Sequence, residues 1–153
     1  MALPTFTQQY EAGDAWLANS CAHPNLVRDV WASRMLAPIP SGEEWLVAEA
    51  RLATGYPRLV RIRAEQRGPV LADPVMDVLW WLVPLHAPEK LADVRQLAVK
   101  PSGWSLHCPP TGWQIEGRMW ITRPDGSGRL TDPAVLAAAF GPGGYRLPAE
   151  ASR

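Results

Sequence analysis

Apolar positions near the start of the chain recur at helical spacing. Tyr10, Trp16, Leu17 and Cys21 share one side of a helix expected from an N-cap at Thr7 to about Ala22. Gly13 is a weak point inside it, and His23-Pro24 is its stop. Leu26, Val30 and Trp31 mark a second, short helix over 25–35. A breaker cluster of Pro38, Pro40, Ser41 and Gly42 follows. Residues 44–49, Glu-Trp-Leu-Val-Ala-Glu, fit either a strand or the start of a helix, and we read them as strand. Leu59 and Ile62 among basic neighbours predict a helix over 58–67, stopped by Gly68-Pro69.

The pattern then changes. Val70-Leu71-Ala72 and the run Val75 to Val83, bounded by Pro74 and Pro84, are almost continuously apolar and rich in Val and Trp, as expected of central strands buried on both faces. Residues 88–97 read as a short helix with Pro88 in its first turn. Two more strands are expected at 104–108 and 118–122, joined by a turn through Pro109, Pro110 and Gly112. Asp125-Gly126-Ser127-Gly128 is a loop. Asp132 is the N-cap of a last helix over 133–140, which Gly141 ends. Helices and strands mix without regular βαβ alternation. The expected fold is therefore α+β, a mixed or antiparallel sheet with helices packed on it, in one domain over 1–147 with a frayed tail at 148–153.

Composition sharpens this in two places. The 153 residues include eight tryptophans, and each buried indole brings an N–H that needs an acceptor. A core built on large rings is the plain expectation, and an exposed aromatic platform the sharper one. Formal charge balances, 15 basic against 15 acidic residues, where a dedicated nucleic-acid binder usually carries a basic excess. Two distant cysteines, Cys21 and Cys108, do not make a secreted disulfide framework, and the first residues lack the pattern of a signal peptide. The longest apolar run is too short to span a bilayer. A cytoplasmic protein without membrane contact is expected.

The order of elements, with a Gly-Pro-Val strand, an apolar strand ending in proline, a short helix and then Gly103-Trp104-Ser105-Leu106-His107-Cys108-Pro109-Pro110-Thr111, followed by Gly117 and Trp120, resembles a small prim-pol domain. This is the N-terminal module of bifunctional DNA primase/polymerases, in the archaeo-eukaryotic primase superfamily, and the chain looks like short stand-alone versions of it. The likeness covers about residues 36–122. Ser105-Leu106-His107 matches the superfamily's Ser-x-His nucleotide-binding pattern, but it falls on the strand assigned to the Pro-Pro motif, and the two assignments compete. Polymerases of the family hold Mg²⁺ with two acids on one strand face, at i and i+2. Here Asp77 stands alone, with Asp73 four residues earlier beyond Pro74. The resemblance thus implies a domain that kept the fold and lost polymerisation.

Other chemistries are poorly supported. His107 and Cys108 are adjacent and would point to opposite faces of a strand, which opposes a zinc site with Cys21 and His23. No spacing orients a histidine toward a Cys108 nucleophile, and no phosphate-binding glycine loop or zinc-protease motif is present. We expect no cofactor and no metal. Three groups are candidate sites: a remnant cleft of Asp77, Ser105, His107 and Arg118; a basic helix face of Arg58, Arg61, Arg63 and Arg67 suited to phosphate or an acidic partner; and a partner platform of Trp80, Trp81 and Trp104. The expected function is that of a non-catalytic regulatory or accessory domain that binds a protein partner. The alternative is a nucleotide- or nucleic-acid-binding domain using the remnant cleft.

Overall fold

The computed structural model describes residues 5–141, so the expected end of the domain at 147 and the tail at 148–153 lie outside the described residues. Helix α1 spans Phe6–Asn19 and α2 spans Pro24–Ala32. The cap of α1 is Thr5, not Thr7. Thr5 Oγ1 accepts from the Gln8 N–H at 3.1 Å and Gln8 Oε1 accepts from the Thr5 N–H at 2.8 Å, a reciprocal box that Thr7, with Tyr10 three residues on, could not form. Strand β1 (Ala37–Pro40) comes next, then β2 (Leu46–Arg51), α3 (Leu52–Leu59), β3 (Val70–Asp73) and β4 (Val78–Val83). The short α4 (Ala87–Leu91), β5 (Ala98–Val99), β6 (Ser105–Cys108), β7 (Met119–Thr122) and α5 (Pro133–Phe140) complete the described chain. Asp132 Oδ1 caps α5 by accepting from the Ala134 N–H at 2.8 Å, as expected.

The fold is α+β. Five strands form an antiparallel sheet in the order β5-β2-β4-β3-β7. Its first four strands, with α3 between β2 and β3 and α4 between β4 and β5, make a split β-α-β-β-α-β unit. β4 runs at its centre. Leu79, Trp81 and Val83 pack with α3, α4 and α5 on one face, while Trp80 and Leu82 face the other. That second face is roofed by α1, α2 and a separate two-stranded ribbon, β1 with β6. No helix among the described residues is long and apolar enough to cross a membrane.

The ribbon corrects two expectations. Pro38 and Pro40 do not break the chain; they lie in β1, where Pro38 pairs His107 and Pro40 pairs Ser105. Odd-numbered residues of β1 bond β6, and Ser41 continues the ladder to the Trp104 carbonyl, so the prolines place their missing N–H on the outer edge. β6 therefore does not pair with β7, which instead borders β3. The connecting residues make no hairpin between them. A tight turn with Glu116 at φ 53° and Gly117 at φ 81° joins Ile115 to Arg118.

The basic helix over 58–67 is also corrected. Helix α3 starts at Leu52 and ends at Leu59, and only a short 3-10 turn, Ala64–Gln66, follows. Leu59 and Ile62 carry the helical spacing that suggested more, but Glu65 and Gln66 offer no apolar anchor for another turn. Val75 and Met76, expected inside a buried strand, lie in the β3–β4 turn and are 85% and 63% exposed.

Candidate functional site

The carboxylates of the sheet are already engaged. Asp73 ends β3 on the roofed face. Arg118 donates to its Oδ2 from Nε at 3.2 Å and from Nη2 at 3.0 Å, and the Met76 N–H donates to Oδ1 at 3.1 Å. Burial works to raise the Asp73 pKa, but those donors outweigh it and hold the group below its ordinary value. The Arg118 guanidinium lies 4.5 Å from the Trp80 ring centroid and donates from Nη1 to the His107 carbonyl at 2.8 Å. On the same face Glu49 Oε1 accepts from Trp80 Nε1–H at 2.9 Å, and Lys100 Nζ sits 3.3 Å from Glu49 Oε2.

Asp77 belongs to the opposite side. It takes φ 58° in the β3–β4 turn and reaches the start of α3, where Oδ1 accepts from the Ala53 N–H at 2.9 Å and Oδ2 from Arg51 Nε at 2.8 Å. The Ala53 N–H, followed by Arg51, lowers its pKa. Asp77 is a helix cap supplied from another element. The expected remnant cleft is therefore assembled only in part: Arg118 reaches the His107 carbonyl while paired with Asp73 of the neighbouring strand, Ser105 and His107 share the outward face of β6, and Asp77 lies apart, serving α3. Among the described residues no group of three His, Cys, Asp or Glu side chains could hold a metal ion.

The tryptophan platform is corrected in the same way. Trp80 is 4% and Trp81 0% exposed, because helices cover one sheet face and the ribbon layer the other. Trp31 Nε1 donates to the Cys108 carbonyl, joining α2 to the ribbon within the roof, and Trp120 Nε1 donates to the Pro109 carbonyl, tying β7 of the sheet to the roof, each at 2.9 Å. Trp104 is half-buried, with Lys100 Nζ 5.4 Å from its ring centroid.

The four arginines do not share a face. The Arg58 guanidinium lies 6.0 Å from the Phe140 ring centroid, and Arg61 Nη1 donates to the Ala139 carbonyl at 3.3 Å, so both serve the end of α5. Among the described residues Arg63 makes a long, exposed contact of 3.8 Å with Glu65. Arg67 Nε donates to the Ile62 carbonyl at 2.8 Å.

Cys108 is fully buried, its Sγ 3.4 Å from the Leu106 carbonyl, and burial pushes its thiol pKa far up, the opposite of an activated nucleophile.

What the sequence reading missed is a surface on the helical side of β7. Leu52, Ala53, Tyr56 and Pro57 of α3, Ala72 and Pro74 of the β3 end, and Met119 and Ile121 of β7 line an open apolar trough of about 450 Å³. Tyr56 is 48% and Ile121 36% exposed. β7 ends the sheet, and its outer side meets no strand among the described residues. The only signal in the sequence is the apolar run Met119-Trp120-Ile121, which says nothing about which face stays uncovered.

No protein-family model matches the chain, and no curated protein or solved structure gives a match.

Proposed function

We propose that this chain is a non-catalytic accessory or regulatory domain that binds a protein partner, receiving an extended segment of that partner alongside β7. The observation that carries this reading is the apolar trough beside an edge strand. An added strand would take its main-chain hydrogen bonds from β7, and its alternate side chains would continue the Met119 and Ile121 row into the trough. Exposed apolar area of this kind marks interaction surfaces. The engaged carboxylates Asp73, Asp77 and Glu49 support the non-catalytic part. By the same reading, the prim-pol resemblance reflects a descent in which the fold outlived polymerisation, and the cytoplasm is the compartment.

Selection of a displayed random-heptapeptide library against the full chain tests the proposal. Enriched peptides should alternate apolar residues and should lose binding to Ile121→Lys and to Tyr56→Arg. Failure to enrich any peptide, or enrichment indifferent to both substitutions, contradicts it. A dimer in sedimentation that Ile121→Lys abolishes would assign the surface to a second copy of the chain instead.

A further inference from the structure

A second site stands on different residues, where α1, the start of β3 and the end of β7 converge on the loop after β7. Here Trp16, Arg67, Gly68, Arg123, Asp125 and Arg129 help to line a cavity of about 120 Å³. Glycines let its walls close up. Gly126 and Gly128 take φ of 89° and 79°, and a side chain at Gly128 would stand 3.3 Å from Trp16 Nε1. A Cβ at Gly68 would stand 2.6 Å from Leu130 Cα. The loop is held by its own bonds: Asp125 Oδ1 accepts from the Ser127 N–H at 2.9 Å, and Ser127 Oγ accepts from the Arg129 N–H at 3.1 Å.

The chemistry of the lining is one-sided. Arg67 is anchored through Nε to the Ile62 carbonyl, and Arg123 through Nε to the Thr111 carbonyl at 3.2 Å, with its guanidinium 5.1 Å from the Tyr10 ring centroid. Anchoring at Nε orients each guanidinium and leaves its two terminal amino groups without an acceptor among the described residues. The Arg129 guanidinium and Trp16 Nε1–H likewise have no hydrogen-bond acceptor there. Three guanidinium groups thus meet one carboxylate, in a chain whose formal charge is zero; Asp125 accepts from Ser127 and is attracted by Arg129, which leaves the lining with a cationic excess. Planar guanidinium forks match the oxygens of a tetrahedral anion. The volume is below the usual range for a cofactor or whole nucleotide, which points to one small group.

We propose that this cavity binds a single phosphate group, either inorganic phosphate or the phosphate of a small phosphoester, through Arg67, Arg123, Arg129 and the Trp16 N–H. The proposal does not depend on the β7 trough.

Calorimetric titration of the full chain with sodium phosphate, and separately with glycerol 3-phosphate, at constant ionic strength provides the test. Saturable binding of at least one ligand at one site is expected, weakened roughly tenfold or more by Arg129→Ala. Arg129 is exposed and donates no side-chain bond within the described fold, so the variant should keep the wild-type melting temperature. Arg63→Ala, a charge removed elsewhere, should leave the affinity unchanged. Phosphate binding alone would identify the free anion as the ligand, and binding of both would admit the ester. No saturable heat with either ligand overturns the proposal, as does equal weakening by Arg63→Ala. Tighter, Arg129-dependent binding of a single-stranded oligonucleotide than of phosphate would also overturn it, by making the cavity part of a nucleic-acid interface.

Discussion

Arg118 gives two donors to one oxygen of Asp73, at 3.2 and 3.0 Å, with the two side chains only 12% and 7% exposed. Removing the cation would leave a buried carboxylate uncompensated. Arg118→Ala should therefore cost about 3–5 kcal/mol in urea unfolding. Asp73→Ala combined with Arg118→Ala should cost less than the two single losses added together, because neither partner is then stranded.

The same pair sets an acid dependence. Asp73 has a folded pKa below its unfolded value, so between the two the unfolded chain binds more protons and stability rises with pH. Its contribution is fully present above about pH 4–5 and is lost as pH falls through the folded pKa. Unfolding followed from pH 2 to 6 should show this loss in the wild type. In Arg118→Met the carboxylate stays buried without its cation, and acid should no longer remove that share of stability.

Gly13 costs α1 about 1 kcal/mol of helix propensity relative to alanine. The helix needs it all the same, because a Cβ there would collide with the Pro124 carbonyl oxygen and stand 2.8 Å from Thr111 Cγ2. The obstacle is backbone, which does not swing aside. Gly13→Ala should destabilise the protein by about 1–3 kcal/mol, the range for overpacking, despite the better helix former. A stabilised variant would contradict the packing of α1 on this loop.

The two thiols should differ in reactivity. Cys21 is partly exposed and Cys108 is not exposed at all. A thiol-reactive chromophore should modify Cys21 in the native protein and reach Cys108 only on unfolding, with denaturant releasing the second equivalent. Prompt labelling of Cys108 would restore it as a candidate nucleophile.

Residue patterns carried some of this architecture and concealed the rest for physical reasons. Asp132-Pro133 is a local cap signal that tertiary contacts do not override, and α5 begins where it says. The Val78–Val83 run is apolar on both faces because both faces of β4 are covered. Thr5-x-x-Gln8 is legible as a capping box, whereas Thr7 is a cap by residue type alone and has no reciprocal partner at Tyr10. β1 was hidden because proline looks like a breaker unless its register on an edge is known. The separation of β6 from β7 depends on long-range pairing that no local pattern encodes. Candidate chemistry fared worst, since Asp77 and Arg118 take their roles from Ala53, Arg51 and Asp73, residues brought close only by folding. Arg67 clusters in sequence with Arg58, Arg61 and Arg63, whereas its companions at the cavity are Arg123 and Arg129.

The most direct test of the account is backbone amide exchange at Met119–Thr122 with a library-selected peptide bound to the chain. Outward-facing amides of β7 should slow markedly on binding, and the Ile121→Lys protein should show no such slowing. Peptide binding that leaves β7 exchange unchanged would contradict the claim that this edge receives a partner strand.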